Sequence, residues 1–139
     1  MSDTRVYANA AKAVIVDGDG RVLFIRCRPN DVHRPGEWDI PGGRLEPGED
    51  PYAGVRRETK EETSLDITVG QVLDVHHFTR QDGQVITMMI FACTPQTHDV
   101  RLSEEHVEYR WAPLAEAGAC APEWFPSIIE RYERWMRGR

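Results

Sequence analysis

Apolar positions in this chain fall into short runs separated by turn-forming residues. Residues 6–17 read as a strand with a nearly continuous apolar run, Ala13-Val14-Ile15-Val16. Asp17-Gly18-Asp19-Gly20 is a hairpin signal, and Arg21 to Arg28 answers it with Val22, Leu23, Phe24 and Ile25. A polar loop follows from Pro29 to Glu37. Trp38-Asp39-Ile40 is a short extended piece, because Pro41 biases Ile40 away from helix.

Asp50-Pro51 is a helix start, an Asp cap followed by Pro at the first helical position, and the helix is expected to run to about Thr63. Its weak point is Gly54, which costs roughly 1 kcal/mol against Ala in a helix interior. Leu65 to Gln81 reads as one strand, or two broken around Gly70. Asp82-Gly83 is a second hairpin turn, and Val85 to Cys93 is an apolar run suited to a buried strand. After a polar loop from Pro95 to Glu105, Val107 to Ala112 alternates like an edge or half-buried strand. Pro122 to Arg137 has the spacing of an amphipathic helix, with Trp124, Ile128, Ile129, Tyr132, Trp135 and Met136 on one face. Strands and helices in this order point to a mixed sheet with helices on its faces.

Composition narrows the functions. At 139 residues the chain is long enough to bury one core, and it is read as a single domain, 1–139. A net charge of -6 argues against long nucleic acid or an anionic membrane as the main partner. No apolar run reaches the ~18 residues of a membrane span, and the first residues lack the apolar core of a signal peptide. Cys27, Cys93 and Cys120 are odd in number and have no metal-ligand spacing, so they read as small buried hydrophobes. A reducing, cytoplasmic setting is the expectation.

The segment from Gly43 to Leu65 adds chemistry. Glu58, Glu61 and Glu62 lie at offsets of three and four, which bring side chains together on one helix face. Like charges there repel, and a bound cation offsets that cost. Oxygen donors suit Mg²⁺ or Mn²⁺. Mg²⁺ takes few carboxylates and completes its shell with waters and substrate phosphates, so the site calls for a phosphorylated substrate. The competing assignment is a solvated acidic face bridged by Arg56, Arg57 and Lys60. Gly42-Gly43 permits close backbone approach. Glu49 either joins the cluster or binds Arg57, which is placed to orient carboxylates.

The segment resembles the Nudix box, whose pattern is Gly, five residues, Glu, seven residues, then Arg-Glu-apolar-x-Glu-Glu-x-Gly-apolar. Gly43, Glu49, Arg57-Glu58, Glu61-Glu62 and Leu65 match it. Thr59 stands at the first apolar site, and Ser64 replaces the glycine expected as a left-handed helix cap. The resemblance implies an α/β fold, an α/β/α sandwich around a mixed β-sheet. It implies a MutT-like, Mg²⁺-dependent pyrophosphohydrolase, with Mn²⁺ as an alternative ion. Such an enzyme cleaves a nucleoside diphosphate linked to X by attack of a metal-activated water. By carry-over, Glu58 and Glu62 are metal ligands with the Gly43 carbonyl, and Glu61 is a ligand or a general base. One more acid comes from the loop before the late strand: Glu104, Glu105 or Glu108, with Glu105 favoured by its place in the loop. A catalytically silent binding module is the alternative, although such modules usually lose box acids and this chain keeps them.

Substrate contacts are less sharply marked. Arg26, Arg28, His33 and Arg34 are candidate phosphate ligands or ordinary surface cations. Trp38 and Phe78 are candidates to stack a base, with core packing as the competing role. His76, His77 and His106 are read as structural, since metal chemistry needs no imidazole. Residues 66–81 lack the Pro and Tyr that tend to mark ADP-ribose and dinucleoside-polyphosphate branches of the resembled family. Residues 123–126 lack the Asn used for guanine selectivity. The expected partner is a small nucleotide, and the chain is expected to be a monomer or homodimer.

Overall fold

The computed structural model describes residues 6–119 and 122–138. Strands β1 (Tyr7–Ile15), β2 (Arg21–Cys27), β3 (Trp38–Asp39) and β4 (Gly42–Arg44) precede helix α1 (Pro51–Thr63). Strands β5 (Ile67–Thr79), β6 (Val85–Pro95) and β7 (His106–Pro113) follow, then a short 3-10 helix (Leu114–Ala119) and helix α2 (Phe125–Arg137). One sheet has the order β4-β1-β6-β5, with β1 and β6 parallel and the other pairs antiparallel. A smaller antiparallel sheet has the order β3-β2-β7.

The turn after β1 forms as expected. Asp17 Oδ1 accepts from the backbone N–H groups of Asp19 and Arg21, and Gly20 N–H donates to Asp17 O. The hairpin it announces does not form. Only the Val16–Val22 bridge joins the two strands, which then enter different sheets. The buried end of β1 (Ala13–Ile15) and most of β2 (Val22–Ile25) are apolar on both faces, and each strand pairs on both edges. β1 finds β4 and β6, and β2 finds β3 and β7.

Alternation along the strands builds two cores. Ala11, Ala13 and Ile15 of β1 pack with Leu23, Ile25, Phe91 and Cys93 toward α1, where Leu45, Val55 and Leu65 close the layer. Val14, Val16, Val22, Phe24, Ile86, Met88 and Ile90 pack with Phe125, Ile128 and Tyr132 of α2. The result is the α/β/α sandwich that the resemblance implies. Phe125, absent from the expected apolar face of α2, is fully buried and meets Phe24 edge-on at 5.1 Å between centroids. Residues 67–79 form one strand, with register irregularities on either side of Val72 in place of a break. Cys27 and Cys93 are buried free thiols, pushed up by burial to about 11 and about 12. Cys120 lies outside the described residues.

Gly54 sits in the helix because α1 passes close to the chain before it. A Cβ at that position would collide with Leu45 Cδ2 and lie 3.0 Å from Glu49 Oε1. Asp50 caps α1 by accepting from Tyr52 N–H at 2.8 Å, and Pro51 opens the helix. At the other end Ser64 takes the left-handed conformation itself (φ 66°), alone among the described non-glycine residues. Its N–H donates to Lys60 O at 2.9 Å and its hydroxyl donates to Arg101 O at 3.0 Å. The helix exit thus keeps the geometry a glycine would give, with a side-chain tie to the following loop.

Candidate active site

Three segments meet at the solvent end of α1. The first is Pro41-Gly42-Gly43, laid antiparallel on β1 so that Gly42 faces Lys12. Gly42 has φ +138°, and a Cβ there would collide with Ala11 O and lie 2.6 Å from Lys12 Cα. No other residue fits this conformation and this contact together. The second segment is α1 itself. The third is the 96–105 loop, tied to the end of α1 by Arg101 N–H to Thr63 O (2.9 Å) and Ser103 N–H to Glu62 O (3.1 Å). Arg28 N–H then donates to Glu105 O at 3.0 Å, which fixes the end of that loop against β2.

The box glutamates occupy graded environments. Glu62 is buried and accepts from Gly42 N–H at 2.7 Å. Burial pushes its carboxyl up to about 8, against the opposing pull of Lys12 and the Gly42 N–H; Glu58 and Glu105 push further in the same direction. Glu58 is raised as well, first by burial. Glu61 is exposed, and both its oxygens lie 3.2 Å from Arg57 Nη1. Arg57 also grips Glu49 through Nε at 2.7 Å and Nη2 at 2.9 Å. That grip, with the Glu46 N–H, pulls the Glu49 carboxyl down to about 2. Of the two roles open to Glu49, the structure places it on Arg57.

Behind Glu62 lies a second charged group that the sequence reading did not single out. Lys12, with a side chain only 16% exposed, donates to Asp39 Oδ2 at 3.1 Å, Ile40 O at 3.3 Å and Gly42 O at 3.5 Å. Burial works against its charge, but Asp39 and Glu62 more than offset this and its pKa is raised. Asp39 is also buried and takes Arg34 Nη1 at 3.3 Å. The only sequence signal was a lone lysine inside an apolar strand.

Glu105 lies within electrostatic reach of both Glu58 and Glu62. One ligand atom each from Glu62, Glu105 and His106 all fall within 4.8 Å of one another. His106 is half-buried, its Nδ1 has no hydrogen-bond partner, and burial and then Lys12 hold its pKa below the usual value. Glu108 instead pairs with Arg26 Nη1 at 3.4 Å, on neighbouring strands. Glu104 is exposed.

A cavity of about 560 Å³ opens beside Gly43. Phe78, Ile86, Met88 and Ala10 give it an apolar side, and Lys12, Arg34, Arg44 and Arg80 bring cations to it. Of the substrate candidates, Arg34 and Phe78 line this cavity together with His33. Arg26, Arg28 and Trp38 do not line it. Arg26 Nε donates to Gly36 O at 2.9 Å, the Arg28 Nε is buried without a partner, and Trp38 packs against the α2-side core. Arg44 and Arg80, which share Gln84 as a partner, were not legible as cavity residues because β4 and the 80–84 turn meet only in three dimensions.

The NUDIX domain profile matches residues 6–136. The chain belongs to the Nudix family. Among relatives of this Nudix protein, a MutT-like protein of Streptomyces ambofaciens is 34% identical over 106 residues, covering 76% of this chain and 64% of the relative. The chain thus spans just under two thirds of that relative's length. The nucleoside triphosphatase NudI of Escherichia coli is 28% identical over 107 residues, with 70% of this chain and 76% of that protein covered. Among solved structures, the MutT protein of Methanosarcina mazei Go1 superposes with a TM-score of 0.84 at 30% identity, covering 96% of this chain and 97% of that one. Among the described residues, no helix is long and apolar enough to cross a membrane.

The Nudix box residues suit a divalent cation on their own geometry. A buried carboxyl pushed up to about 8 gains most from a positive partner. The space over Gly43 is what lets Glu58 approach the backbone, since a Cβ there would stand 2.8 Å from Glu58 Oε2. The carboxylates are hard oxygen donors of the kind Mg²⁺ and Mn²⁺ take.

Proposed function

We propose that this Nudix chain is a Mg²⁺- or Mn²⁺-dependent pyrophosphohydrolase, acting on a phosphoanhydride bond of a nucleoside diphosphate linked to X, with nucleoside triphosphates foremost. The observation that carries it is the grouping of Glu58, Glu62 and Glu105, with Glu58 against Gly43, which itself lines the cavity that holds Phe78 and three arginines. The NudI relative, a nucleoside triphosphatase, supports a nucleoside triphosphate as the substrate, with phosphate as X.

In this reading Glu58, Glu62 and the Gly43 carbonyl hold the cation. When bound, it lowers the pKa of a water and neutralises charge on phosphate oxygens. Arg34, Arg44 and Arg80 supply positive charge for the polyphosphate, and Arg forks match phosphate oxygens. Phe78 offers its face to the base. Glu105 accepts the proton of the attacking water, with Glu61 the alternative acceptor. Arg57 fixes the rotamers of Glu49 and Glu61 and so holds the acidic face in register. The relevant partner is a small nucleotide, and all these groups come from one chain. The two buried thiols suit a reducing, cytoplasmic setting.

A substrate panel tests the reading: nucleoside and deoxynucleoside triphosphates, ADP-ribose, NADH, dinucleoside polyphosphates and nucleotide sugars, each with Mg²⁺ or Mn²⁺, with products separated by chromatography. Metal-dependent release of a nucleoside monophosphate, fastest from a triphosphate, is expected. Absence of metal-dependent turnover across the panel would overturn the proposal and favour a silent binding module.

A further inference from the structure

We infer that His106 is a nitrogen ligand to the cation held by Glu62, which shifts this site from Mg²⁺ toward transition-metal ions that accept imidazole, with Mn²⁺ serving as the spectroscopic probe. The inference rests on the metal reading proposed above and adds to it a donor that lies outside the box.

Two observations carry it. A ring nitrogen of His106, a Glu62 oxygen and a Glu105 oxygen lie within 4.8 Å of one another, the spacing of atoms that can face one ion. In the same short loop, His106 Nδ1 and Ser103 Oγ are both buried with no hydrogen-bond partner. Buried polar atoms are nearly always partnered, by protein, water or an ion, so an orphaned ring nitrogen on the histidine that meets two carboxylates marks a place where something binds.

The backbone explains why the imidazole is there. Ser103 N–H donates to Glu62 O, and His106 N–H donates to Ser103 O at 3.3 Å. His106 then enters β7 opposite Cys27 of β2. The loop therefore swings the histidine back over the last turn of α1, where Glu62 points. Chemically, an all-carboxylate site favours Mg²⁺, whereas a mixed carboxylate–imidazole site shifts preference toward ions further along the transition series. Glu105 lies beside the same ion and remains the proton acceptor.

The test is a direct spectroscopic one on the whole chain loaded with Mn²⁺ alone. Electron spin echo modulation of the bound Mn²⁺ is expected to show ¹⁴N coupling, and His106→Gln is expected to abolish it. Titration followed by Mn²⁺ resonance is expected to show affinity weakened about tenfold in that variant, with Mg²⁺ affinity nearly unchanged. Circular dichroism and melting of His106→Gln report whether the fold is intact, and His106→Asn provides a second variant. Bound Mn²⁺ with no nitrogen coupling overturns the inference but leaves the box-metal reading standing. Coupling that persists in both variants also overturns it, since the nitrogen then belongs to another residue. Failure of the wild-type chain to bind Mn²⁺ at all, with Glu62→Gln behaving the same, overturns both.

Discussion

Glu49 and Glu62 belong to the same acidic segment and answer to opposite electrostatics. Glu49 lies toward the surface in a two-point grip from Arg57, and its carboxyl is pulled down to about 2. Glu62 is buried and bonded to the Gly42 N–H, and burial pushes its carboxyl up to about 8 against the pull of Lys12. One acid is already satisfied by the protein. The other is kept short of positive charge. A carboxylate that is prepaid by an arginine is a scaffold, while one left wanting a cation is a place for an ion. The segment therefore combines a rigid frame with an unsatisfied centre, and the lysine limits how unstable that centre is.

Turnover breaks or sharpens the comparison most strongly. Glu62→Gln and Glu58→Gln are expected to lower metal-dependent hydrolysis of a nucleoside triphosphate by roughly a thousandfold, the rate equivalent of the several kcal/mol a bound cation supplies. Glu105→Gln is expected to cost about a hundredfold, as loss of a proton acceptor does. Glu49→Gln is expected to cost clearly less than any of these. Equal losses in the Glu49 and Glu62 variants, measured side by side, would erase the distinction between frame and centre.

Stability separates the two supporting cations. Lys12→Met leaves Asp39 and Glu62 buried with less compensation, and removing one partner of such a group costs about 3 kcal/mol. Arg57→Met is expected to shift the denaturant midpoint less, because Arg57 is itself more exposed than Lys12 and its partner Glu61 is open to water. A larger shift for Arg57→Met would mean that the surface grip, not the buried lysine, carries the region.

The pH dependence of melting in EDTA sets the two carboxyls apart directly. Glu62 has a folded value of about 8 against a reference of 4.5. Between these the folded state binds a proton that the unfolded state has released, so stability falls as pH rises from about 4.5 to about 8. Glu49 works the other way, with a folded value of about 2 against 4.5. Its contribution is present above 4.5 and lost as pH falls toward 2. Glu62→Gln is expected to flatten the neutral limb of the melting curve and Glu49→Gln the acid limb. A neutral limb unchanged in Glu62→Gln would show that its proton is not retained on folding.

Much of this was written locally in the chain. The Asp50-Pro51 start, the helix end at Thr63 and the Asp82-Gly83 hairpin follow from capping and turn chemistry, which depends on neighbours within a few residues. The acidic spacing of Glu58, Glu61 and Glu62 likewise fixed a shared helix face. The partners lay beyond that reach. Asp17–Gly20 made its turn, yet β1 and β2 parted because pairing is decided by which edges are left open across the whole sheet. Gly54 looked like a weak point and proved to be a point of close approach to Leu45 and Glu49. Ser64 looked like a departure and took the left-handed cap regardless, held by Arg101. Lys12 under Glu62, and His106 beside it, were the least legible of all. Sequence by itself determined where the carboxylates sit on one helix. Only the tertiary structure decided which of them is buried and which cation or imidazole it meets, because burial and long-range charge are properties of the packed chain.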